Sequence, residues 1–194
     1  RTRLNIYGEE ITGVQEHAGL VRWKSGKKWA KRYLPLTPKL MRLVGLYLAE
    51  GSVTFWKQRP NAGSLLWHFG NHETALHEGT VALIQETLGI TPYVSVTRTQ
   101  TQIGFAHGVY ARLFAHLFGR GAAHKRMPME WMSLADDLLL PLVQGYLDGD
   151  GHWHQAPRPG HQPGWVTATV SPSLVLQMQL VAARFGIASG VGRR

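Results

Sequence analysis

The sequence contains no cysteine, which excludes a disulfide framework and a zinc site built on thiolates. It also contains no apolar run of the about eighteen residues that a membrane-spanning helix needs, and no signal peptide is visible at its start. We therefore expect a soluble protein of the cytoplasm that has no contact with a membrane. Its 194 residues suffice for one domain or for two small repeated halves.

Acidic residues are also scarce, with 12 Asp and Glu against 21 Lys and Arg, so the formal net charge is +9. Such an excess of positive charge favours a polyanionic partner, and nucleic acid is the first candidate. Hydrophobic residues make up 44% of the chain, which is typical of a globular protein.

One short segment occurs twice in the chain. Residues 43–51 read LVGLYLAEG and residues 142–151 read LVQGYLDGDG. Each segment is an apolar helical stretch that ends in an acid followed by glycine. The two acids, Glu50 and Asp150, lie 100 positions apart. An acid at the C-terminal end of a helix is electrostatically unfavourable unless a cation offsets it.

Small residues recur four positions apart in both segments, at Gly45 and Ala49 and at Gly145 and Gly149. Residues at this spacing share one face of a helix, and small side chains there let two helices approach closely. If the helices pack through these faces, the two acids end side by side and favour a bound cation. Oxygen ligands favour Mg²⁺ or Mn²⁺. The alternative is that each segment is an ordinary helix stop, with an acid beside a terminal glycine.

The two segments resemble the motifs of the LAGLIDADG homing endonucleases, in the form with two motifs on one chain that inteins or introns encode. The resemblance implies an α+β fold. Two pseudo-symmetric αββαββ halves would form a DNA-binding saddle from antiparallel sheets, with the motif helices at their interface. It also implies that Glu50 and Asp150 are catalytic and bind a divalent metal together with Ala49 and Gly149. Glu50 departs from the aspartate of the family name, although glutamate is a common variant.

The chain divides into four parts. Residues 1–36 form an N-terminal extension rich in basic and aromatic side chains, which suits phosphate contact or, alternatively, a solvated leader with buried tryptophans. Residues 37–118 are the first half, residues 119–133 a linker and residues 134–194 the second half.

The first half is predicted as helix, hairpin, helix, hairpin, helix. Thr37 and Pro38 are suited to begin the first helix, Gly89 to end the second, and residues 60–63 to form the turn of the first hairpin. The predicted elements cover residues 37–50, 52–58 and 64–70, 72–88, 92–98 and 101–107, and 108–118.

The second half is predicted to repeat this order only in part. Asp137 would cap its first helix, a strand would begin at His152, and a second strand would cover residues 165–170 with Val166, Ala168 and Val170 inward. A helix would run from Ser171 to about Phe185. Compared with the first half, the second half lacks one hairpin and one helix. We therefore expect a second polypeptide to complete it.

Lys125 opens the linker segment KRMP, which resembles the K-x-I-P block of intein-type members. The resemblance makes Lys125 a candidate to stabilise charge on the phosphate or to position the attacking water, and a surface lysine that contacts phosphate is the alternative. His152 and His154 flank Trp153 and could suggest a transition-metal site. We favour strand residues that face DNA or solvent.

The resemblance implies site-specific, metal-dependent double-strand cleavage of DNA, with the strands of both halves in the major groove. A non-cleaving DNA-binding regulator and an intron RNA maturase of the same fold are alternatives. Alternation along the strands gives these DNA-facing candidates: Thr54, Trp56, Gln58, Ser64, Leu66 and His68 in the first half, and His154, Thr167 and Thr169 in the second.

Overall fold

The computed structural model describes residues 3–5, 14–155 and 163–192. Within them, helices pack on antiparallel sheets, which confirms the predicted α+β class. No helix in these ranges is both long enough and apolar enough to cross a membrane.

The described residues of the N-terminal segment form five short strands in two small sheets: β1 (Arg3–Asn5), β2 (Val14–His17), β3 (Leu20–Trp23), β4 (Ala30–Lys31) and β5 (Tyr33–Pro35). Strand β1 pairs with β5, and β2, β3 and β4 form an antiparallel sheet. The Lys28 ammonium donates to the Ala106 carbonyl at 2.7 Å, and the Lys31 amide donates to the Tyr110 hydroxyl at 3.1 Å. These bonds tie residues 28–31 to the first half, so this part of the extension is not a solvated leader.

The first half contains α1 (Pro38–Glu50), β6 (Gly51–Trp56), β7 (Arg59–Gly70), α2 (Thr74–Leu88), β8 (Tyr93–Val96), β9 (Gln100–Ala106) and α3 (Gly108–Phe118). Its antiparallel sheet has the order β6-β7-β9-β8. Thr37 caps α1, since its side-chain oxygen accepts the Leu40 amide at 3.2 Å. Gly89 ends α2 in the left-handed conformation, with φ +71°. The predicted helix starts and stops are confirmed at both positions.

The turn predicted at residues 60–63 is wrong, because these residues lie within β7 and the hairpin turns at Lys57 and Gln58. Gly63 pairs with Phe55 across the hairpin. A Cβ on Gly63 would lie 2.8 Å from a Phe55 ring carbon and 2.9 Å from the Ala111 Cβ. The glycine therefore permits close packing of the hairpin against α3, and the residue type was misread as a turn signal.

After α3 the linker contains two 3-10 turns, Ala122–His124 and Met129–Ser133. The second half then contains α4 (Asp136–Asp150), β10 (Gly151–His154), β11 (Gly164–Thr167) and α5 (Pro172–Arg184). The Ser171 side chain caps α5 by accepting the Leu174 amide at 3.2 Å, which confirms the predicted start of this helix.

Two details of the second half differ from the prediction. Asp137 is not the cap of α4, because the helix begins at Asp136 and Ala135 occupies the cap position. Asp136 and Asp137 both lie in the first turn of α4, where the positive end of the helix dipole favours negative charge. Strand β11 ends at Thr167, and Val166, Ala168 and Val170 are exposed, not inward. Among the described strands β11 pairs with β10 alone, and Ala168 and Val170 lie beyond its end.

The core lies between α1, α3 and the four-stranded sheet. Its largest fully buried side chains include Tyr47, Trp67, Phe114 and Phe118. Tyr47 packs edge-on against Phe114, with ring centroids 5.1 Å apart, an arrangement that aromatic rings favour. The core thereby fixes the position of α1, and α4 packs along the other side of that helix.

Candidate functional site

Helices α1 and α4 cross with their backbones in contact. A Cβ on Gly45 would lie 2.0 Å from the Leu142 carbonyl oxygen, and a Cβ on Gly145 would lie 2.3 Å from the Arg42 carbonyl oxygen. Positions 45 and 142 thus meet as positions 145 and 42 do, which relates the two helices by a pseudo-twofold axis. No side chain larger than hydrogen fits at either glycine without moving backbone atoms.

The contact continues towards the C-terminal ends of the two helices. A Cβ on Gly149 would lie 2.6 Å from the Ala49 Cβ and 3.4 Å from the Glu50 Cγ. The small residues of both motifs therefore lie in the interface, and Glu50 lies against the last turn of α4. Glu50 and Asp150 come directly after this close contact, because they are the last residues of their helices.

Each helix passes directly into a strand at its terminal glycine. Gly51 and Gly151 have extended backbones, with φ values of −82° and −88°, so neither is the left-handed terminal glycine of an ordinary helix stop. A Cβ on Gly51 would lie 2.5 Å from the Tyr47 carbonyl oxygen, and one on Gly151 would lie 2.3 Å from the Leu147 carbonyl oxygen. Glycine is needed here for a tight change from helix to strand.

The two acids share a partly buried environment. Burial, followed by the negative charges of Asp150 and Glu73, raises the pKa of Glu50 to about 7, while the positive charge of Lys125 opposes the shift. Burial also raises the pKa of Asp150, and the backbone of Ala168 opposes this shift. Near neutral pH the site therefore carries carboxylates whose charge the surrounding protein does not fully offset.

Lys125 is buried beside the first acid, with 4% of its surface exposed. Its ammonium donates to the carbonyls of Tyr47 and Gly51, the latter at 2.6 Å, and lies 3.7 Å from the centroid of the Tyr47 ring. Burial lowers the pKa of Lys125 to about 7, and the negative charge of Glu50 opposes the shift. The alternative of a surface lysine is wrong, because this side chain binds the terminal carbonyls of α1.

The interface also contains an ion pair that the comparison of the two motifs did not predict. Arg42 on α1 pairs with Asp148 on α4 at 2.6 Å. The matching positions, 100 residues away, are Leu142 and Leu48, so the pair forms only once. Asp148, the first acid of the sequence DGD, is therefore paired with Arg42, and Asp150 is the acid next to Glu50.

In the described ranges no group of three or more His, Asp or Glu side chains could hold a metal ion. His152 and His154 are exposed, with ring centroids 6.5 Å apart. A transition-metal site at these histidines would have no third protein ligand within the part of the chain that is described. The paired acids offer two carboxylates.

Most of the predicted DNA-facing side chains are accessible. Thr54, Trp56, Gln58, His154 and Thr167 are exposed, while Leu66, His68 and Thr169 are half-buried.

Ser64 is the exception, with 8% exposure. It lies on the central strand β7 between Thr54 and Ala106, and a side chain this short does not reach past its neighbours. The Ser52 hydroxyl lies 3.4 Å from the His68 Nε2, so this histidine is partly engaged within the sheet. Burial also lowers the pKa of His68.

Comparison with known proteins gives relatives that are much longer than this chain. It is 26% identical over 192 residues to the ATP-dependent DNA helicase Hel308 of Thermococcus kodakarensis, covering 95% of this chain and 16% of that protein. It is 24% identical to the DNA polymerase II large subunit of the same organism, covering 95% of this chain and 10% of that protein. It is 22% identical to a DNA polymerase of Thermococcus hydrothermalis, covering 77% of this chain and 9% of that protein.

The second half of the chain also matches a family model. Residues 137–194 match the model described as a LAGLIDADG-like domain. The matched segment begins in the first turn of α4 and includes Gly145, Gly149 and Asp150. The first half contains a second copy of the same motif, in contact with the first through the reciprocal glycines. The match confirms the resemblance over residues 137–194, which form a LAGLIDADG-like domain.

Proposed function

We propose that this chain is a site-specific DNA endonuclease that cuts both strands of a long target. The observation that carries the proposal is the crossing of α1 and α4 through bare backbone, which brings Glu50 and Asp150 together at one end of the helix pair. Each half of the molecule contributes one acid, as a pair of cuts in two antiparallel strands requires.

The acids fit a divalent metal ion. Burial raises the pKa of both carboxylates, and the negative charge of Asp150 raises that of Glu50 further; a bound cation would favour the charged forms of both. Glu50 and Asp150 would hold the ion, beside the carbonyls of Ala49 and Gly149. Two protein carboxylates suit Mg²⁺ or Mn²⁺, which take their other ligands from water and substrate phosphates. A bound ion would supply Lewis acidity at the phosphate and lower the pKa of a bound water.

Lys125 would act by holding the end of α1 in position, not by contact with DNA. Its ammonium is buried and binds the Tyr47 and Gly51 carbonyls. It would hold the end of α1 in place, and its charge would favour the ionised form of Glu50. Removal of the ammonium is expected to displace Glu50, because the Tyr47 and Gly51 carbonyls would each lose a hydrogen bond to it.

DNA would lie along the outer face of the four-stranded sheet and of the β10–β11 hairpin. A two-stranded ribbon fits the major groove, where the base edges distinguish all four base pairs. The exposed side chains of Thr54, Trp56, Gln58 and Thr167 are suited to this contact. The net charge of +9 would supply affinity that is independent of sequence and sensitive to salt.

The relatives suggest the setting of this activity. The chain matches only 9–16% of the length of proteins named as a DNA helicase and DNA polymerases. We infer that the matching segments are mobile elements inserted into these proteins, as inteins are, and that the target is the uninterrupted gene. Both acids are present here, which favours cleavage over a regulatory role.

The proposal is tested with a supercoiled plasmid that carries the uninterrupted host-gene sequence, with and without Mg²⁺. Glu50→Gln and Asp150→Asn are each expected to reduce double-strand cleavage by at least about a thousandfold, while binding to the same DNA is retained. Asp148→Asn is the matched control, since it removes a neighbouring carboxylate that is already paired with Arg42, and it should still cut. Full cleavage by either of the first two variants would refute the assignment.

Metal binding has a readout besides cleavage. Addition of Mg²⁺, or of Ca²⁺ as an inactive substitute, should raise the melting temperature of the wild-type protein, because a ligand that binds only the folded state stabilises it. The shift should be lost in Glu50→Gln and Asp150→Asn and kept in Asp148→Asn. An equal shift in all four proteins would place the ion elsewhere.

A further inference from the structure

The linker segment that carries Lys125 is bound by α5, a helix of the second half. The Gln177 side chain makes two hydrogen bonds to the backbone of Met127: its amide donates to the carbonyl at 2.7 Å, and its oxygen accepts the N–H at 2.8 Å. At the start of the same helix, the Ser171 hydroxyl donates to the Lys125 carbonyl at 2.6 Å. The linker backbone is thus fixed to α5 at Lys125 and again two residues later.

These polar side chains lie where apolar ones would be expected. Gln177 is 5% exposed and occupies the buried stripe of α5 between Leu174 and Val181. Ser171 is 1% exposed. An apolar residue would suit packing in such a stripe, and a buried polar group is costly unless it is hydrogen-bonded. The two side chains are therefore best explained by the backbone groups of the linker that they bind.

Lys125 connects this contact to the paired acids. Its ammonium donates to the Tyr47 and Gly51 carbonyls, and Glu50, the last residue of α1, immediately precedes Gly51. The backbone of Lys125 is thus bound by the second half and its side chain by the first half. A shift of the linker backbone would move the ammonium relative to the end of α1, where Glu50 lies.

The matching positions of the first half make contacts of another kind. Asn71 and His77 lie 100 residues before the two polar residues of α5. The Asn71 amide donates to the Thr97 carbonyl at 3.0 Å, and the His77 Nε2 lies 2.9 Å from the Gly70 carbonyl oxygen. These contacts stay within the first half. The contact between α5 and the linker is therefore not a result of the repeated motif, and it acts on the Glu50 side of the acid pair.

We propose that Ser171 and Gln177 are positioning residues, through which the second half fixes Lys125 at the end of α1 and so places Glu50 for cleavage. Their effect is indirect, because it passes through the linker backbone and the Lys125 ammonium. A displacement of about 1 Å near a reacting group can lower a rate about a hundredfold. The inference rests on the proposed function for the reaction, and on the hydrogen bonds alone for the position of Lys125.

The first test measures the rate at which formaldehyde and a mild reducing agent methylate Lys125, by mass spectrometry, relative to Lys39, whose side chain is 63% exposed. Lys125 is 4% exposed and should react slowly in the wild-type protein. In Gln177→Met, which keeps the length of the side chain but loses both hydrogen bonds, it should react about tenfold faster. One or two lost buried hydrogen bonds favour local opening to about this extent.

Ser171→Ala should also raise the methylation rate of Lys125 about tenfold, because it removes the hydrogen bond to the Lys125 carbonyl. This variant keeps the test decisive if Gln177→Met folds poorly. Rates are compared well below the melting temperature of each protein, so that global unfolding does not contribute.

The second test separates cleavage from binding. The kcat for double-strand cleavage should fall about ten- to a hundredfold in Gln177→Met and in Ser171→Ala. The Kd for the same DNA, measured without divalent metal, should stay within about threefold, because the side chains assigned to DNA are unchanged. A variant that was merely less folded would lose binding and cleavage in the same proportion.

The matched control is Arg184→Gln, which also removes contacts of α5 with its surroundings. The Arg184 guanidinium donates to the Met132 carbonyl of the linker at 2.9 Å and pairs with Asp136. Met132 lies seven residues after Lys125. This variant should keep the wild-type methylation rate of Lys125 and the wild-type kcat. Effects as large as those of Gln177→Met would overturn the inference, because they would reflect a loosened α5 in general.

Three other outcomes are decisive. Wild-type methylation rates of Lys125 in both test variants would overturn its fixation by α5. Faster methylation without a loss of kcat would overturn the role of Ser171 and Gln177 in cleavage. If the wild-type protein cuts no DNA, the proposed function fails together with that role, and the methylation rates still decide whether α5 fixes Lys125.

Discussion

The two halves of the molecule begin in the same way. In the first hairpin Gly51 pairs with Trp67, and in the second Gly151 pairs with Thr167, which is the same register 100 positions later. Each hairpin follows directly from a motif helix that ends in an acid. The local sequence therefore sets the same helix, the same exit into a strand and the same pairing twice.

The surroundings of the two hairpins differ sharply. Val53 and Leu65 are 5% and 0% exposed, whereas their counterparts Trp153 and Trp165 are 44% and 50% exposed. The two tryptophans pack on each other, with ring centroids 5.7 Å apart.

The difference in burial follows from what packs on each hairpin. In the first half, β9 pairs with β7 and α3 covers the hairpin. In the second half, within the described ranges, α4 provides the main cover for β10 and β11. The comparison shows that the motif sets pairing and register, while burial depends on the elements that pack against the hairpin.

The interface shared by both halves should give the largest effect. Gly45→Ala and Gly145→Ala each place a methyl group against a backbone carbonyl of the other helix. Each should lower the free energy of unfolding by about 3 kcal/mol or more, because neither carbonyl can move without its helix. Similar losses in both variants, measured by urea denaturation, would confirm that the crossing is symmetric. Unchanged stability in both would show that the helices do not meet through these glycines.

The next test compares matching positions of the two hairpins. Leu65→Ala should cost about 2–5 kcal/mol, because it leaves a cavity in the core. Trp165→Ala should cost clearly less, about 1 kcal/mol, because half of the residue is already exposed to water and its ring contact with Trp153 is the aromatic pair that is lost. Denaturation of the two variants under identical conditions gives the comparison. A loss for Trp165→Ala as large as that for Leu65→Ala would mean that the second hairpin is covered in solution.

The contributions of Glu50 and Asp150 to the stability of the protein should depend on pH to different extents. The pKa of Glu50 is raised from its ordinary value of 4.5 to about 7, so the stability gained from its neutral form is complete below pH 4.5 and is lost as the pH rises through 7. Glu50→Gln mimics the neutral form. Without divalent metal, it should exceed the wild-type protein in stability by about 1–2 kcal/mol at pH 8, after allowance for solvent screening.

This advantage of Glu50→Gln should vanish near pH 4.5. Asp150→Asn should show a smaller advantage, because the Ala168 backbone opposes the shift of its pKa. Melting temperatures between pH 4.5 and 8.5 in the presence of a chelator provide the measurement. Parallel profiles for Glu50→Gln and the wild-type protein would contradict the raised pKa.

The smallest expected effect is in the second helices of the two halves. Helix α2 contains Gly79, which has open space around its Cα, whereas α5 contains no glycine. Gly79→Ala should stabilise the protein by about 0.5–1 kcal/mol, since alanine loses less backbone freedom in a helix. It is also the control for the interface glycines, because the same substitution has the opposite sign there. Destabilisation by Gly79→Ala in thermal melts would indicate an unseen contact on this face.

The spacing of residues predicted the positions of the helices and strands well, but it predicted poorly what packs against them. Both motif helices, the start of α5 at Ser171 and the end of α2 at Gly89 follow from local chemistry and were predicted. Gly63 was misread because a glycine needed for close packing looks the same in a sequence as one needed for a turn.

The candidate site was predicted only in part. The motif comparison predicted Glu50 and Asp150, because each acid lies at a fixed place in a repeated segment. It did not reveal the ion pair of Arg42 with Asp148, because each partner matches a leucine in the other half. It also did not reveal the burial of Lys125, which depends on how the linker packs against α1.

The bare crossing of α1 and α4 has a consequence for how this protein tolerates sequence change. Where side chains separate two helices, a substitution on one helix can be offset by a change of size on the other. At Gly45 and Gly145 the opposing atoms are carbonyl oxygens, which every residue type carries in the same place. No second substitution can create the space that a methyl group needs there. In a library of variants these two positions should therefore accept glycine alone, whatever the rest of the sequence becomes.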